Sequence, residues 1–311
     1  MGLAVVTGSS GFLGQAVVQR LARQGWTVRA ANRSGSAVAG AAQSFATGDL
    51  LTADLPALVA GADAVIHCAA RVHVLKREDP AQAARDYQAM NADLPVALAQ
   101  AARAAGAGRF IQISSAAALA SASAPGEVVD DSTPPRPASP YGRSKLAADL
   151  ALTDLGGSDF SVISLRPPAI YGPGVAAWFA MYDRAARAGL PMPLGTIRNR
   201  RSFAFVGNVA DAIVRACEEG PSGAYLVTDS EPISSADLYR RLLALHGRSR
   251  RIWNVPAPLV RAAARIVLRA RAASLLGDAA FDGARFARTF SWQPAVSMDD
   301  GLRMTVAGGA A

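Results

Sequence analysis

Tyr141 and Lys145 lie four residues apart in Tyr141-Gly-Arg-Ser-Lys145, a spacing that puts both side chains on one face of a helix. A phenol with a pKa of about 10 is a poor proton carrier at neutral pH, and a neighbouring ammonium stabilises its ionised form. Upstream, Ser114-Ser115 closes the apolar run Arg109-Phe-Ile-Gln-Ile and supplies hydroxyls able to hold a substrate oxygen. Lysine is scarce: of 32 basic residues only Lys76 and Lys145 are lysines, the rest arginines. Together the serine, tyrosine and lysine suggest proton transfer to or from a carbinol or carbonyl oxygen.

A second constellation opens the chain. Gly8, Gly11 and Gly14 form a GxxGxxG between the apolar run Leu3–Thr7 and an amphipathic run ending at Arg23. Such glycines permit a tight turn and let a pyrophosphate approach backbone N–H groups at a helix N-terminus. The next apolar run closes with Asn32-Arg33 and no carboxylate. A guanidinium there suits a 2′-phosphate, which favours NADP(H) over NAD(H) as cofactor. Asp49-Leu50 follows a third strand, where Asp49 either holds the adenine edge or caps the next helix.

These side chains need a scaffold, and the periodicity supplies one. Short apolar runs at 3–7, 27–31, 64–68, 109–114 and 161–166 are separated by helical segments, notably Pro80 to Ala105. Strand–helix alternation predicts βαβ units and an α/β, Rossmann-type doubly wound parallel sheet. The dinucleotide-binding domain is expected at 1–166, with segments near 200–228 able to return to it. A smaller, proline- and glycine-punctuated substrate-binding lobe is expected at 167–311, with helices near 175–189, 207–219, 234–246 and 257–271. Residues 121–140 read as a long surface loop.

Composition narrows the function classes. The chain has 311 residues, 51% hydrophobic and 18% charged, with two distant cysteines, Cys68 and Cys217, which disfavours disorder and a disulfide scaffold. Without a stretch of about 18 uncharged apolar residues, no membrane insertion is expected, and the default location is cytoplasmic. The net charge of +8 is uneven: residues 1–160 hold 13 basic and 13 acidic side chains, residues 161–311 hold 19 and 11. The excess lies in the half expected to receive a substrate, and 6% aromatics without basic interleaving argues against nucleic acid. His67, His73, His246 and the cysteines lack metal-ligand spacing, so no metal is expected. His73, beside the cofactor loop, reads as a loop histidine with substrate contact as the alternative, and Pro258 to Arg271 as a surface-docked helix rather than a membrane-surface one.

Several motifs in order resemble the extended short-chain dehydrogenase/reductases of the NAD-dependent epimerase/dehydratase family. They are Thr7-Gly-Ser-Ser-Gly-Phe-Leu-Gly14, His67-Cys-Ala-Ala70, Asn91, Phe110-Ile-Gln-Ile-Ser-Ser115, Ser139-Pro-Tyr-Gly-Arg-Ser-Lys145, Leu165-Arg-Pro-Pro-Ala-Ile-Tyr-Gly-Pro-Gly174, the segment from Arg201 to Ala212 and Phe290-Ser-Trp-Gln-Pro294. The resemblance implies that Ser115 and Tyr141 hold and protonate the substrate oxygen and that Lys145 lowers the Tyr141 pKa and binds the nicotinamide ribose. It implies cofactor contacts from Gly8, Gly11, Phe12, Leu13, Gly14, Arg33, Asp49, Leu50, Ala69, Tyr141, Lys145 and Pro168. Substrate contacts would come from Ser115, Tyr141 and Arg201, the last against a diphosphate. The segments around Ala69–His73, Gly189–Gly195 and Asn199–Ser202 look most like bacterial enzymes acting at C4 of UDP-N-acetyl-hexosamines in polysaccharide synthesis. Ala169, Trp178 and Ala118-Leu119-Ala120 depart from the common pattern.

With Arg33 weighed in, the expected activity is reduction of a UDP-4-keto-sugar. The alternatives are a UDP-sugar 4-epimerase with retained NAD, a reductase of a non-sugar ketone or aldehyde, and a non-catalytic dinucleotide sensor. The resemblance also implies a homodimer formed through helices near 81–105 and 142–155.

Overall fold

The computed structural model describes residues 2–72, 79–176, 178–229, 232–248, 252–267 and 275–308. Its short apolar runs are parallel strands: β1 (Leu3–Thr7), β2 (Thr27–Asn32), β3 (Gln43–Ala46), β4 (Ala64–His67), β5 (Arg109–Ile113) and β6 (Ser161–Arg166). The sheet order is β3-β2-β1-β4-β5-β6-β9, the last strand being β9 (Gly223–Leu226). Crossover helices cover both faces, which is why the central strands read as continuous apolar runs rather than alternating ones.

Within each strand, successive side chains enter opposite cores. Ala4 and Val6 pack on one side with Val17, Val18 and Leu21 of α1 (Phe12–Arg23) and with Val209 and Ile213 of α7 (Val206–Glu218). Val5 packs on the other side with Leu58 of α2 (Leu55–Val59), Leu98 of α4 (Leu94–Ala104) and Leu152 of α5 (Pro140–Thr153). Asp54 caps α2, accepting a hydrogen bond from Ala57 N at 3.1 Å. Asp49 serves the preceding turn instead, through Leu51 N at 3.0 Å.

The expected helix from Pro80 to Ala105 is interrupted. It comprises α3 (Pro80–Gln88), one π turn at Ala89–Asp93, and α4. Pro95 lacks the N–H that would reach the Asn91 carbonyl four residues back, and Leu94 N–H bonds Ala89 O five residues back. The resulting bulge carries Asn91, fully buried.

After β6 the chain builds a second core. The three-residue strands β7 (Ala169–Tyr171) and β8 (Phe203–Phe205) pair in parallel, too short to be read from alternation. They pack with α6 (Trp178–Arg187), α8 (Ser235–Leu245), α9 (Ala257–Val267) and α11 (Met298–Gly308) around Tyr171, Phe179, Tyr182, Phe205 and Tyr239. Helix α10 (Ala284–Thr289) returns to the main sheet, where Phe286, Phe290 and Trp292 join the α1–α7 core. Strand β9 is also such a return, and its outer edge is partly covered: Asp131, in the 121–140 loop, accepts from Leu226 N at 2.9 Å. His73 and the part of the expected 258–271 helix beyond Val267 lie outside the described residues. No described helix is long and apolar enough to cross a membrane, and no described cluster of three His, Cys, Asp or Glu side chains suits a metal ion.

Candidate active site

The glycine loop links β1 to α1. Gly8 has φ +67°, and a Cβ there would lie 2.7 Å from Ala69 N, so the loop runs directly against the chain leaving β4. At Gly14 a Cβ would lie 2.1 Å from Gly8 O, so only glycine lets the first turn of α1 sit on the loop. Gly11 is the N-cap residue and offers no side chain to the free N–H groups of that turn. Gly8, Gly11 and Gly14 thus leave a backbone concavity with a helix dipole behind it, which fits a pyrophosphate. Phe12 and Leu13 pack against the second core, tying the loop to the lobe.

Beside this loop, buried Asn32 closes β2. Its amide donates to Ser36 O at 2.9 Å and to Ser9 Oγ at 3.3 Å, while its oxygen accepts from Ser36 N at 3.1 Å. This network shapes the turn that carries exposed Arg33, whose carbonyl accepts from Gly48 N at 3.1 Å. Arg33 and Asp49 are thereby brought to one end of the sheet, with Leu50 buried beneath.

Ser115, Tyr141 and Lys145 converge at the C-terminal end of β5. The Ser115 hydroxyl is close enough to the Tyr141 phenol to bias its titration. Ala116 N–H donates to Pro167 O at 3.0 Å, which places Pro168 beside the serine. Lys145 is 1% exposed and donates to Ile113 O at 2.7 Å. Desolvation lowers its pKa to about 8, opposed by Asp149 and by Cys68. Burial pushes the Tyr141 phenol above its ordinary value, with the Ser115 hydrogen bond acting the other way. This corrects the expectation of a phenol lowered by Lys145: in this structure desolvation is the larger influence. The edge of the Tyr141 ring meets Tyr87 of α3 at 6.4 Å between centroids.

Two neighbouring groups are electrostatically quiet. His67 is buried with Nδ1 2.7 Å from Thr7 Oγ1, and burial followed by the Lys145 charge lowers its pKa to about 3, so it is neutral. Burial drives the Cys68 thiol up to about 12, so it is no thiolate at neutral pH.

Two supporting side chains carry no sequence expectation of a role. Asn91 bonds both backbone groups of Arg71, at 2.8 and 2.9 Å, and donates to Ser144 Oγ at 3.2 Å, joining the loop after β4 to α5. Asp149 accepts from Ser114 Oγ at 2.9 Å and from Arg166 Nε at 2.7 Å. The sequence signal for Asp149 was its position one turn beyond Lys145 on the same helix face.

Arg201 sits in the lobe, its backbone paired with Ile233 and its guanidinium donating to Gly277 O at 3.2 Å. Burial lowers its pKa, with Tyr182 and Asp278 opposing the shift. Nearby, Trp178 stacks on Phe203 at 5.2 Å.

Comparison with known proteins extends these observations. The model of the NAD dependent epimerase/dehydratase family matches residues 4–227. A UDP-glucose 4-epimerase of Vibrio cholerae is 31% identical over 97% of this chain and 93% of its own. Among solved structures, the UDP-glucuronic acid 4-epimerase of Bacillus cereus in complex with NAD superposes with a TM-score of 0.77 at 20% identity, covering 98% of this chain and 96% of that one. The UDP-N-acetylglucosamine 4-epimerase of the same species gives a TM-score of 0.78 at 18% identity, covering 97% of each chain. At such identities the two structures speak to the fold.

Proposed function

Because the chain belongs to the NAD-dependent epimerase/dehydratase family of extended short-chain dehydrogenase/reductases, we propose that it is an enzyme that inverts C4 of a UDP-linked sugar. The observation that carries the chemistry is the Tyr141 phenol, acted on by the Ser115 hydroxyl, on a helix that also presents the buried Lys145. Preference for epimerisation over the ketoreduction expected from the sequence rests on the near full-length similarity to the Vibrio cholerae epimerase. The Arg33 argument does not oppose it. An epimerase returns its cofactor to the starting state in each turnover, so neither the NAD nor the NADP pool has to drive it.

In this reading Gly8, Gly11, Phe12, Leu13 and Gly14 hold the pyrophosphate, and Arg33, Asp49 and Leu50 surround the adenosine end. Ala69 and Pro168 wall the nicotinamide side, and Lys145 donates to the adjoining ribose. A bound nicotinamide dinucleotide supplies a reversible hydride acceptor. Ser115 donates to the C4 oxygen and keeps it within reach of Tyr141. Tyr141, entering the step as a phenolate beside the Lys145 ammonium, takes the hydroxyl proton as C4 is oxidised and returns it to the carbonyl oxygen after the sugar has presented its other face. The raised phenol pKa makes that phenolate a stronger base for the first half of the cycle, and in the second half the proton passes to an alkoxide oxygen that is more basic still. Arg201 binds the diphosphate, so binding energy far from C4 positions the reacting carbon. Residues 1–166 with α7 and β9 make the cofactor half, and the lobe beyond 167 the substrate half. A cytoplasmic homodimer completes the proposal.

The test is incubation with UDP-sugars, following both sugar products and reduced-nicotinamide absorbance. Interconversion of C4 epimers without net dinucleotide consumption is expected. Stoichiometric oxidation of NADPH by a UDP-4-keto-sugar, without epimer formation, would replace the epimerase by a ketoreductase. A separate expectation concerns the cofactor. Arg33→Ala weakens NADP+ binding about tenfold, the scale of one charge-assisted contact, and leaves NAD+ within about twofold. Calorimetric titration with both dinucleotides checks it, and equal changes would remove Arg33 from the 2′-phosphate role.

A further inference from the structure

Beneath the Ser115–Tyr141–Lys145 face lies an ion pair that needs a reason to exist. Asp149 and Arg166 are 3% and 7% exposed, and their Oδ2–Nε contact is 2.7 Å. Buried pairs of this kind contribute little net stability, because desolvation of both ions offsets their attraction. This one is also incompletely satisfied: Ser114 Oγ and Arg166 Nε both bond Oδ2, while Oδ1 is buried without a hydrogen-bond partner among the described residues. A free buried carboxylate oxygen keeps much of its field.

The placement gives that field its targets. Asp149 follows Lys145 by four residues and Tyr141 by eight on α5, so the three share one helix face. Its partner Ser114 immediately precedes Ser115, and its partner Arg166 immediately precedes Pro167, whose carbonyl bonds the backbone after Ser115. One carboxylate therefore ties the ends of β5 and β6 to α5 at the point where the catalytic side chains meet.

We propose that Asp149 is a positioning residue of this site: clamped by Arg166 and Ser114, its carboxylate is the counter-charge of Lys145 and fixes the strand end that carries Ser115. The proposal deepens the reading of Ser115, Tyr141 and Lys145 given above and rests on it. The titratable and charged groups around Lys145 are His67 and Cys68 at the end of β4, Tyr141 and Asp149 on α5, Arg166 on β6 and, beyond Tyr141, Tyr87 on α3. His67 and Cys68 are neutral at pH 7, which leaves Asp149 as the anion among them. Its charge favours the protonated form of both Lys145 and Tyr141. Lys145 thus stays an ammonium able to donate.

The experiment uses the purified protein and NAD+ alone, with binding measured by calorimetry across neutral and alkaline pH. Wild-type affinity should fall with a midpoint near 8, as Lys145 loses its proton. Asp149→Asn keeps size and a hydrogen-bond acceptor, and should move that midpoint down by about one pH unit while leaving affinity near pH 6 within about threefold. Asp149→Glu should restore it. Should Asp149→Asn fail to fold because Arg166 is left unpaired, the double variant Asp149→Asn/Arg166→Gln removes both charges and should move the midpoint in the same direction but by less, because loss of the Arg166 cation partly offsets loss of the nearer carboxylate. A folded variant of either kind with the wild-type midpoint overturns the proposal, as does a wild-type protein that does not bind NAD+. No sugar is present, so a negative epimerase assay beside a displaced midpoint refutes the epimerase and leaves the role of Asp149 standing.

Discussion

Tyr141→Phe should lower kcat by about a thousandfold and leave dinucleotide binding within about twofold. The size follows from the contribution of a positioned proton carrier, typically a hundredfold to ten-thousandfold. The substitution removes one oxygen and keeps the ring, so the edge contact with Tyr87 persists. Ser115 loses its partner at the phenol but still accepts from Ala117 N at 3.2 Å, so the strand end remains ordered. Stopped-time product assays give kcat, and calorimetry with NAD+ gives the binding arm. Activity within tenfold of wild type would assign proton transfer to another group. A parallel loss of binding would instead identify Tyr141 as part of the cofactor wall.

Gly14→Ala acts at the other end of the site and should reduce dinucleotide affinity at least about a hundredfold. The added Cβ would lie 2.1 Å from Gly8 O and 2.8 Å from Ser9 Cα, both backbone atoms that no rotamer change can move. Either the glycine turn opens or the first turn of α1 lifts off it, and both displace the N–H groups aimed at a pyrophosphate. Strain of this kind costs about 1–3 kcal/mol of stability, so a lowered Tm should accompany the loss. Calorimetric titration with a thermal melt checks both. Unchanged affinity in a folded Gly14→Ala protein would show that the pyrophosphate does not rest on this turn.

What could be read ahead of the structure divides by the range of the signal. Tyr141 and Lys145 were legible because a four-residue helix spacing is local, and Gly8, Gly11 and Gly14 because strand, turn and helix follow one another directly. Asp149 was not, since its meaning depends on Ser114 from β5 and Arg166 from β6 arriving beside it. The π turn at Asn91 was hidden inside an unbroken helical pattern, with Pro95 as the only local sign. The expected direction for Tyr141 failed for a related reason: a lysine four residues away is visible in sequence, whereas burial of the phenol is a property of the assembled layers. Arg33 weighed too heavily toward a reductase, because a single arginine speaks to cofactor shape and not to whether the cofactor is consumed.

The position of β9 has a consequence for how the chain comes off the ribosome. When residue 166 emerges, β6 has β5 on one side and nothing on the other, although five of its six residues end up buried. Its natural partner arrives only with residues 223–226, after β7, α6 and β8 of the second core have been synthesised. Until then an apolar strand presents unpaired N–H and C=O groups, the template on which aggregates grow. A fragment ending at 166 should therefore be insoluble, while one extended through 228 gains β9 and, from the loop already made, the Asp131 contact that covers part of its outer edge. The main-sheet unit is thus discontinuous in sequence, and truncations meant to isolate it must include the second crossing.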